Sequence, residues 1–190
     1  MPKRKLLSRA DILRALERLS QILEARKVKA DLFVVGGAAL TLAFDARPAT
    51  RDVDAIFKRK NEVYKAAAQV AREMDLPDEW LNDAVKKFIG RPDRKPLPIL
   101  DLPGLRLMAG SPEYLLAMKI LADRNDRDRE DLRFLIRMLK LRTIKDAERA
   151  FRDVYPAEEM RPDTRARLSE IIREEAPTRT RSRKLTSQQM

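Results

Sequence analysis

Neither cysteine nor histidine occurs anywhere in the 190 residues. The first absence removes disulfides, thiolate metal sites and cysteine nucleophiles. The second removes His-based triads, a histidine general base and the commonest zinc ligand. A metal bound here is therefore a hard, oxygen-ligated one such as magnesium or manganese. Aromatics make up only 5% of the chain, so the stacking platforms of a single-strand binder are not provided. No apolar run reaches the length of a membrane span. The opening Met-Pro-Lys-Arg-Lys-Leu-Leu-Ser has basic residues without the apolar segment of a secretory signal. The expectation is a cytoplasmic protein with no membrane association. Glycine is scarce too, with five residues in all, and two of them are adjacent: Gly36 and Gly37.

That pair closes the apolar run Leu32-Phe-Val-Val and opens a short segment of helical composition. Bare backbone at a helix start presents N–H groups and the positive end of the dipole, which favour a phosphate. Taken alone, two glycines also make an ordinary strand-to-helix turn. They gain weight from the downstream segment Arg47-Pro-Ala-Thr-Arg-Asp52-Val-Asp54-Ala-Ile. In a strand, residues two apart share a side, so Asp52 and Asp54 face one way and Val53, Ala55 and Phe57 the other. Adjacent like charges are unfavourable unless a cation sits between them, and Asp is depleted in strands. A phosphate cradle followed by paired carboxylates describes a site for a nucleoside triphosphate with Mg2+ or Mn2+. Thr50 shares the carboxylate face, where it orients a ligand or caps the strand.

The formal charge of +11 and a pI near 10.1 suit a protein that grips a polyanion and releases its counterions. A cleft lined by carboxylates cannot hold that polyanion itself. The candidates are the cluster Lys86, Lys87, Arg91, Arg94 and Lys95, and the tail residues Arg179, Arg181, Arg183 and Lys184.

Ser8-Arg-Ala-Asp11 predicts a capped helix start, continued by Ile12, Leu16, Leu19 and Leu23 at helical spacing. A buried strand at 32–35, a short helix at 38–44, the Asp-bearing strand at 52–57 and a helix at 61–74 come next. From Pro77 to Lys95 the pattern fades into a mobile, partly basic insertion with a short helical piece around Trp80 to Phe88. Leu97-Pro-Ile-Leu-Asp101-Leu and Leu105-Arg-Leu-Met read as strands joined by a Pro103-Gly104 turn. Helices are predicted at about 112–123, 128–141, 143–153 and 162–175, with Ser111, Thr143 and Asp163 as caps. The expected layout is an α/β core over 1–110, a helical region over 111–176 and a disordered basic tail over 177–190.

The Gly-Gly pair and Asp-x-Asp strand resemble the signature of the nucleotidyltransferase fold of polymerase-beta-like transferases. A second block, Glu113-Tyr-Leu-Leu-Ala-Met-Lys119 with Arg127-Asp-Arg-Glu-Asp131-Leu, is similar to the Lys-bearing helix and Arg-Asp-x-x-Asp-Leu segment of its minimal members. Among these the chain looks most like AbiEii-type toxins of type IV toxin–antitoxin systems. The resemblance implies an α+β fold with a small mixed sheet, packed helices and a helical C-terminal half. It implies a magnesium-dependent nucleotidyltransferase that moves a nucleoside monophosphate from an NTP to an acceptor, here RNA and specifically tRNA. A cognate antitoxin is the implied protein partner. Asp101 becomes the third metal carboxylate or, alternatively, a strand-end Asp starting a turn. Lys119 becomes a triphosphate contact or a solvated lysine.

Asp131 lies on the stripe Asp128, Asp131, Leu132, Leu135, Leu139, and a buried acid needs partners. Arg124, Arg127 or Lys119 could supply them. The pairing then joins two helices, orients Lys119 or activates an acceptor hydroxyl. Two rival readings stay open: modification of a protein or small molecule, and an inactive relative that binds nucleic acid or an antitoxin.

Overall fold

The computed structural model describes residues 6–122 and 128–175. Ser8 starts the first helix, α1 (Arg9–Ala25), with a reciprocal capping box to Asp11, so two of the orphan donors at the helix end are satisfied at once. Its apolar stripe buries Ile12, Leu16, Leu19 and Leu23 completely. The strands form two sheets. In the smaller, Leu7–Ser8 (β1) pairs antiparallel with Ala49–Thr50 (β3). The main sheet takes Ala30–Val34 (β2), Val53–Phe57 (β4), Leu81–Asn82 (β5), Leu97–Leu102 (β6) and Leu105–Ala109 (β7) in the order β5-β4-β2-β7-β6. It is mixed: β2 runs antiparallel to β4 and parallel to β7, while β6 and β7 form a hairpin. The chain is thus an α+β protein of the expected kind.

The period-two pattern decides which side of the sheet is core. Leu32, Val34, Val53, Ala55, Leu105, Leu107 and Ala109 share one face and are buried. On that side α1 packs against β7 and against α3 (Lys60–Met74). Phe33, on the opposite face, meets Tyr114 edge-on with ring centroids 5.5 Å apart. Tyr114 belongs to α4 (Pro112–Ala122), which packs in turn on α2 (Gly36–Phe44), α5 (Arg129–Met138) and α6 (Ile144–Val154). A last helix, α7 (Pro162–Glu175), leans on α5 and α6.

Two expectations need correction. The stretch after Pro77 is no insertion around Trp80: that side chain is fully buried, its indole N–H donates to the Ala67 carbonyl at 3.0 Å, and its own carbonyl accepts from Val53 N–H. Leu81 and Asn82 then extend the sheet, and the helical piece is a short 3-10 helix, Ala84–Phe88. Asp163 is not a cap but lies inside the first turn of α7, which begins at Pro162. Thr143 does cap α6 with a full capping box to Asp146, and the Ser111 hydroxyl accepts from Tyr114 N–H in α4. The predicted basic tail lies outside the described residues.

The turn between β6 and β7 is pressed against α1. Gly104 N–H donates to the Ser20 hydroxyl, and a Cβ on Gly104 would meet the Glu24 backbone nitrogen at 2.8 Å. Helix backbone cannot step aside as a flexible side chain can. Gly104→Ala should therefore cost about 1–3 kcal/mol. Urea unfolding should show a lowered midpoint with an unchanged slope; an unmoved midpoint would mean that the turn yields.

Candidate active site

At the end of β2 the chain turns straight into α2, and the cap position is filled by Val35, whose side chain has no acceptor for the helix's first N–H groups. Three other helices in this protein are capped by a hydroxyl, at Ser8, Ser111 and Thr143. Here the cap supplies none, and two glycines follow it as the first helical residues. Gly36 has φ +65°, in the left-handed region where an L side chain is strained, and a Cβ on it would lie 3.3 Å from Asp54 Oδ2. A Cβ on Gly37 would lie 2.8 Å from the Thr50 hydroxyl and 3.2 Å from Arg47 Nη1. The helix start, a carboxylate, a hydroxyl and a guanidinium thus crowd together where two side chains are missing, so closely that a Cβ at Gly37 would force a neighbour to shift.

Asp52 and Asp54 are half-buried, while Val53, Ala55 and Phe57 are buried behind them. The alternation comes from β4, anchored where Val35 N–H donates to the Asp54 carbonyl at 3.0 Å. Thr50, buried, donates its hydroxyl to the Asp52 carbonyl. Among the described residues no group of three or more ligating side chains gathers. Asp54 beside the bare start of α2, with Asp52 two residues before it, still fits magnesium, because that ion binds through one or two carboxylates and takes its other ligands from substrate phosphates and water.

Arg47 is tied to the helical half of the chain. Its Nε and Nη2 donate to the two oxygens of Asp131 at 2.5 and 2.7 Å, a bidentate pair. Asp131 is 3% exposed and also takes Lys119 Nζ at 2.7 Å. Lys119 in turn donates to Asp128. Two cations and two carboxylates form one charge-balanced chain, buried at Asp128 and Asp131, nearly so at Lys119 and half-buried at Arg47, that ends at Gly37. Lys119 and Asp131 therefore reach the site through Arg47, and Lys119 has its ammonium engaged by two carboxylates. Sequence reasoning passed over Arg47. A buried acid on α5 was itself the signal that a cation must face it, but the partner came from 84 residues away. Arg124 and Arg127, the nearer candidates, lie outside the described residues.

Asp101 is not brought to this site. In the ladder it sits opposite Arg106, level with Asp31, whereas Asp54 is level with Val35. That separation is about 13 Å along the strands and about 14 Å across three strand spacings. Asp101 is exposed and pairs with Lys29 at 2.7 Å; that hydrogen bond and charge hold its carboxyl below the usual carboxylate range. The hairpin puts it at the opposite end of the sheet from the glycines.

A model of the family described as "Nucleotidyltransferase of unknown function (DUF6036)" matches residues 10–173. No curated protein and no solved structure matches the chain.

Proposed function

Since the chain belongs to this family of nucleotidyltransferases, we propose that it transfers a nucleoside monophosphate from a triphosphate to an RNA acceptor. The convergence of Thr50 Oγ1 and Arg47 Nη1 on the empty Cβ position of Gly37 carries the reading. It places a hydrogen-bonding hydroxyl and a fixed positive charge beside helix N–H groups, a combination that suits phosphate.

In this reading the first turn of α2, Thr50 and Arg47 receive the phosphates. Asp52 and Asp54 hold magnesium, which when bound polarises the α-phosphate and stabilises the leaving pyrophosphate. The acceptor hydroxyl gives up its proton to solvent as its oxygen attacks the α-phosphorus, a new phosphoester bond forms, and the bond from the α-phosphorus to the oxygen bridging the β-phosphate breaks, releasing pyrophosphate. Asp131 holds the guanidinium of Arg47 in one orientation, and Lys119 holds Asp131. Both are positioning residues. Among the described residues no helix is long and apolar enough to cross a membrane, and the +11 charge supports a polyanionic acceptor. The likeness of the two motif blocks to AbiEii-type toxins extends the proposal to a toxin role with an antitoxin partner.

Labelled NTPs offered with total RNA and magnesium should label RNA with the wild type and not with Asp52→Ala. RNA binding should weaken with salt at a slope of about −0.7 per neutralised phosphate if the bound strand is single. Expression of the same pair in growing bacteria should arrest growth for the wild type alone. Label on a partner protein or small molecule would overturn the RNA acceptor; growth without arrest would remove the toxin role.

A further inference from the structure

A cavity of about 670 Å³ opens between the 91–95 loop, the start of α4 and the α5–α6 turn with α6. Six cations line it: Arg91, Arg94 and Lys95 from the loop, Lys140 and Arg142 from the turn, and Arg149 from α6. All six are exposed, and none forms a salt bridge among the described residues. Elsewhere this chain readily pairs its arginines, as with Arg18 and Glu73 or Arg165 and Glu148.

Four acids share the wall, but two are committed to the backbone. Asp93 accepts from Ser111 N–H and hydroxyl at 2.6 and 2.9 Å, and from Lys95 N–H. Asp146 caps α6 through Thr143 and Arg142 N–H, which lowers its carboxyl below the ordinary range. All four carboxylates keep their charge, and Arg149 acts on Asp146, so six cations against four acids leave the wall with a net charge of +2. Like charges from three separate elements repel unless an anion lies among them.

The space is also too large for a small inorganic anion and falls within the range that holds a drug-sized molecule. Part of its wall is apolar, formed by Leu139, Leu141, Ala150 and Val154. A multiply charged end and an uncharged ring body are both provided for. We propose that this cavity is a second binding site, separate from the Gly36–Asp54 cradle, for a nucleoside phosphate: a free nucleotide or the terminal nucleotide of an RNA.

The cavity borders the cradle's end of the sheet. Ser111 follows Gly110, whose N–H donates to the Val34 carbonyl two residues before Gly36. An occupant here is therefore well placed to be the acceptor. That identification rests on the reaction proposed above, while the site itself does not.

The test uses the full chain without magnesium and a fluorescein-labelled, 5′-phosphorylated RNA tetranucleotide as probe. Arg94→Gln/Arg149→Gln should bind at least tenfold more weakly than the wild type at low salt. Lys65→Gln/Arg72→Gln, which removes the same charge from α3, should bind as the wild type does. AMP that displaces the probe would identify a free nucleotide as sufficient, and AMP that fails to displace it would identify the RNA end; either supports the site. Equal losses in the two double variants would reduce the effect to net charge and overturn it, as would unchanged binding in the cavity variant or no binding by the wild type.

Discussion

Asp54→Asn should lower nucleotide transfer by roughly a thousandfold or more while melting close to the wild type. Asn is almost the same shape, so the contact beside Gly36 and the strand alternation of Val53, Ala55 and Phe57 persist. What disappears is one of the two negative charges proposed to hold magnesium. An ion that depends on so few protein ligands should not survive the loss of one. Binding of a fluorescent ATP analogue should accordingly lose its magnesium dependence in the variant, and chelation with EDTA should reduce the wild type to the same level. Circular dichroism melts guard against the trivial explanation of unfolding. Full transfer by a folded Asp54→Asn protein would remove the carboxylate pair from the reaction.

The helices and strands were legible because their signals are local. Ser8 and Thr143 each carry an acid three residues on, and both form the capping boxes that this spacing predicts. Leu97 to Leu102 and Leu105 to Ala109 lie on either side of a Pro-Gly turn and pair as a hairpin. The glycines and Thr50 could be placed together for the same reason, since one strand–helix–strand unit contains them. Trp80 escapes such a reading because its partners, Ala67 and Val53, belong to other elements. A lone tryptophan among Pro, Asp and Glu carries no periodicity. Only tertiary packing reveals it as core.

Asp101 and Arg47 fail in opposite ways for one reason: neither position along the sequence says which end of a sheet or which helix a side chain will meet. The order of the strands, β5-β4-β2-β7-β6, carries Asp101 away from the carboxylate pair. The return of the chain after α2 carries Arg47 onto an acid in α5. A charge stripe on a helix shows that a partner is needed, not where it will come from. The polyanion argument is weaker still, because total charge is a sum and placement is what a ligand feels.

Removing Asp131 and removing Arg47 together with it should have different consequences, and the difference separates stability from function. Asp131→Ala leaves the half-buried Arg47 without its bidentate partner and takes one of two carboxylates from Lys119. Breaking a buried pair from one side costs about 3–5 kcal/mol, which for a chain of this length lowers the melting temperature by roughly 10 °C. In Arg47→Met/Asp131→Met both charges go and Lys119 keeps Asp128, so the remaining pair is neutral and much of the lost stability should return. Triphosphate affinity should not return with it, because the guanidinium beside Gly37 is gone. Thermal melts and binding of the fluorescent ATP analogue on the same three proteins decide the matter. If Asp131→Ala melts like the wild type, the network is not a strut between the two halves of the chain. If the double variant is stable and still binds triphosphate normally, Arg47 has no part in the cradle, and the phosphates are held by Thr50 and the helix start alone.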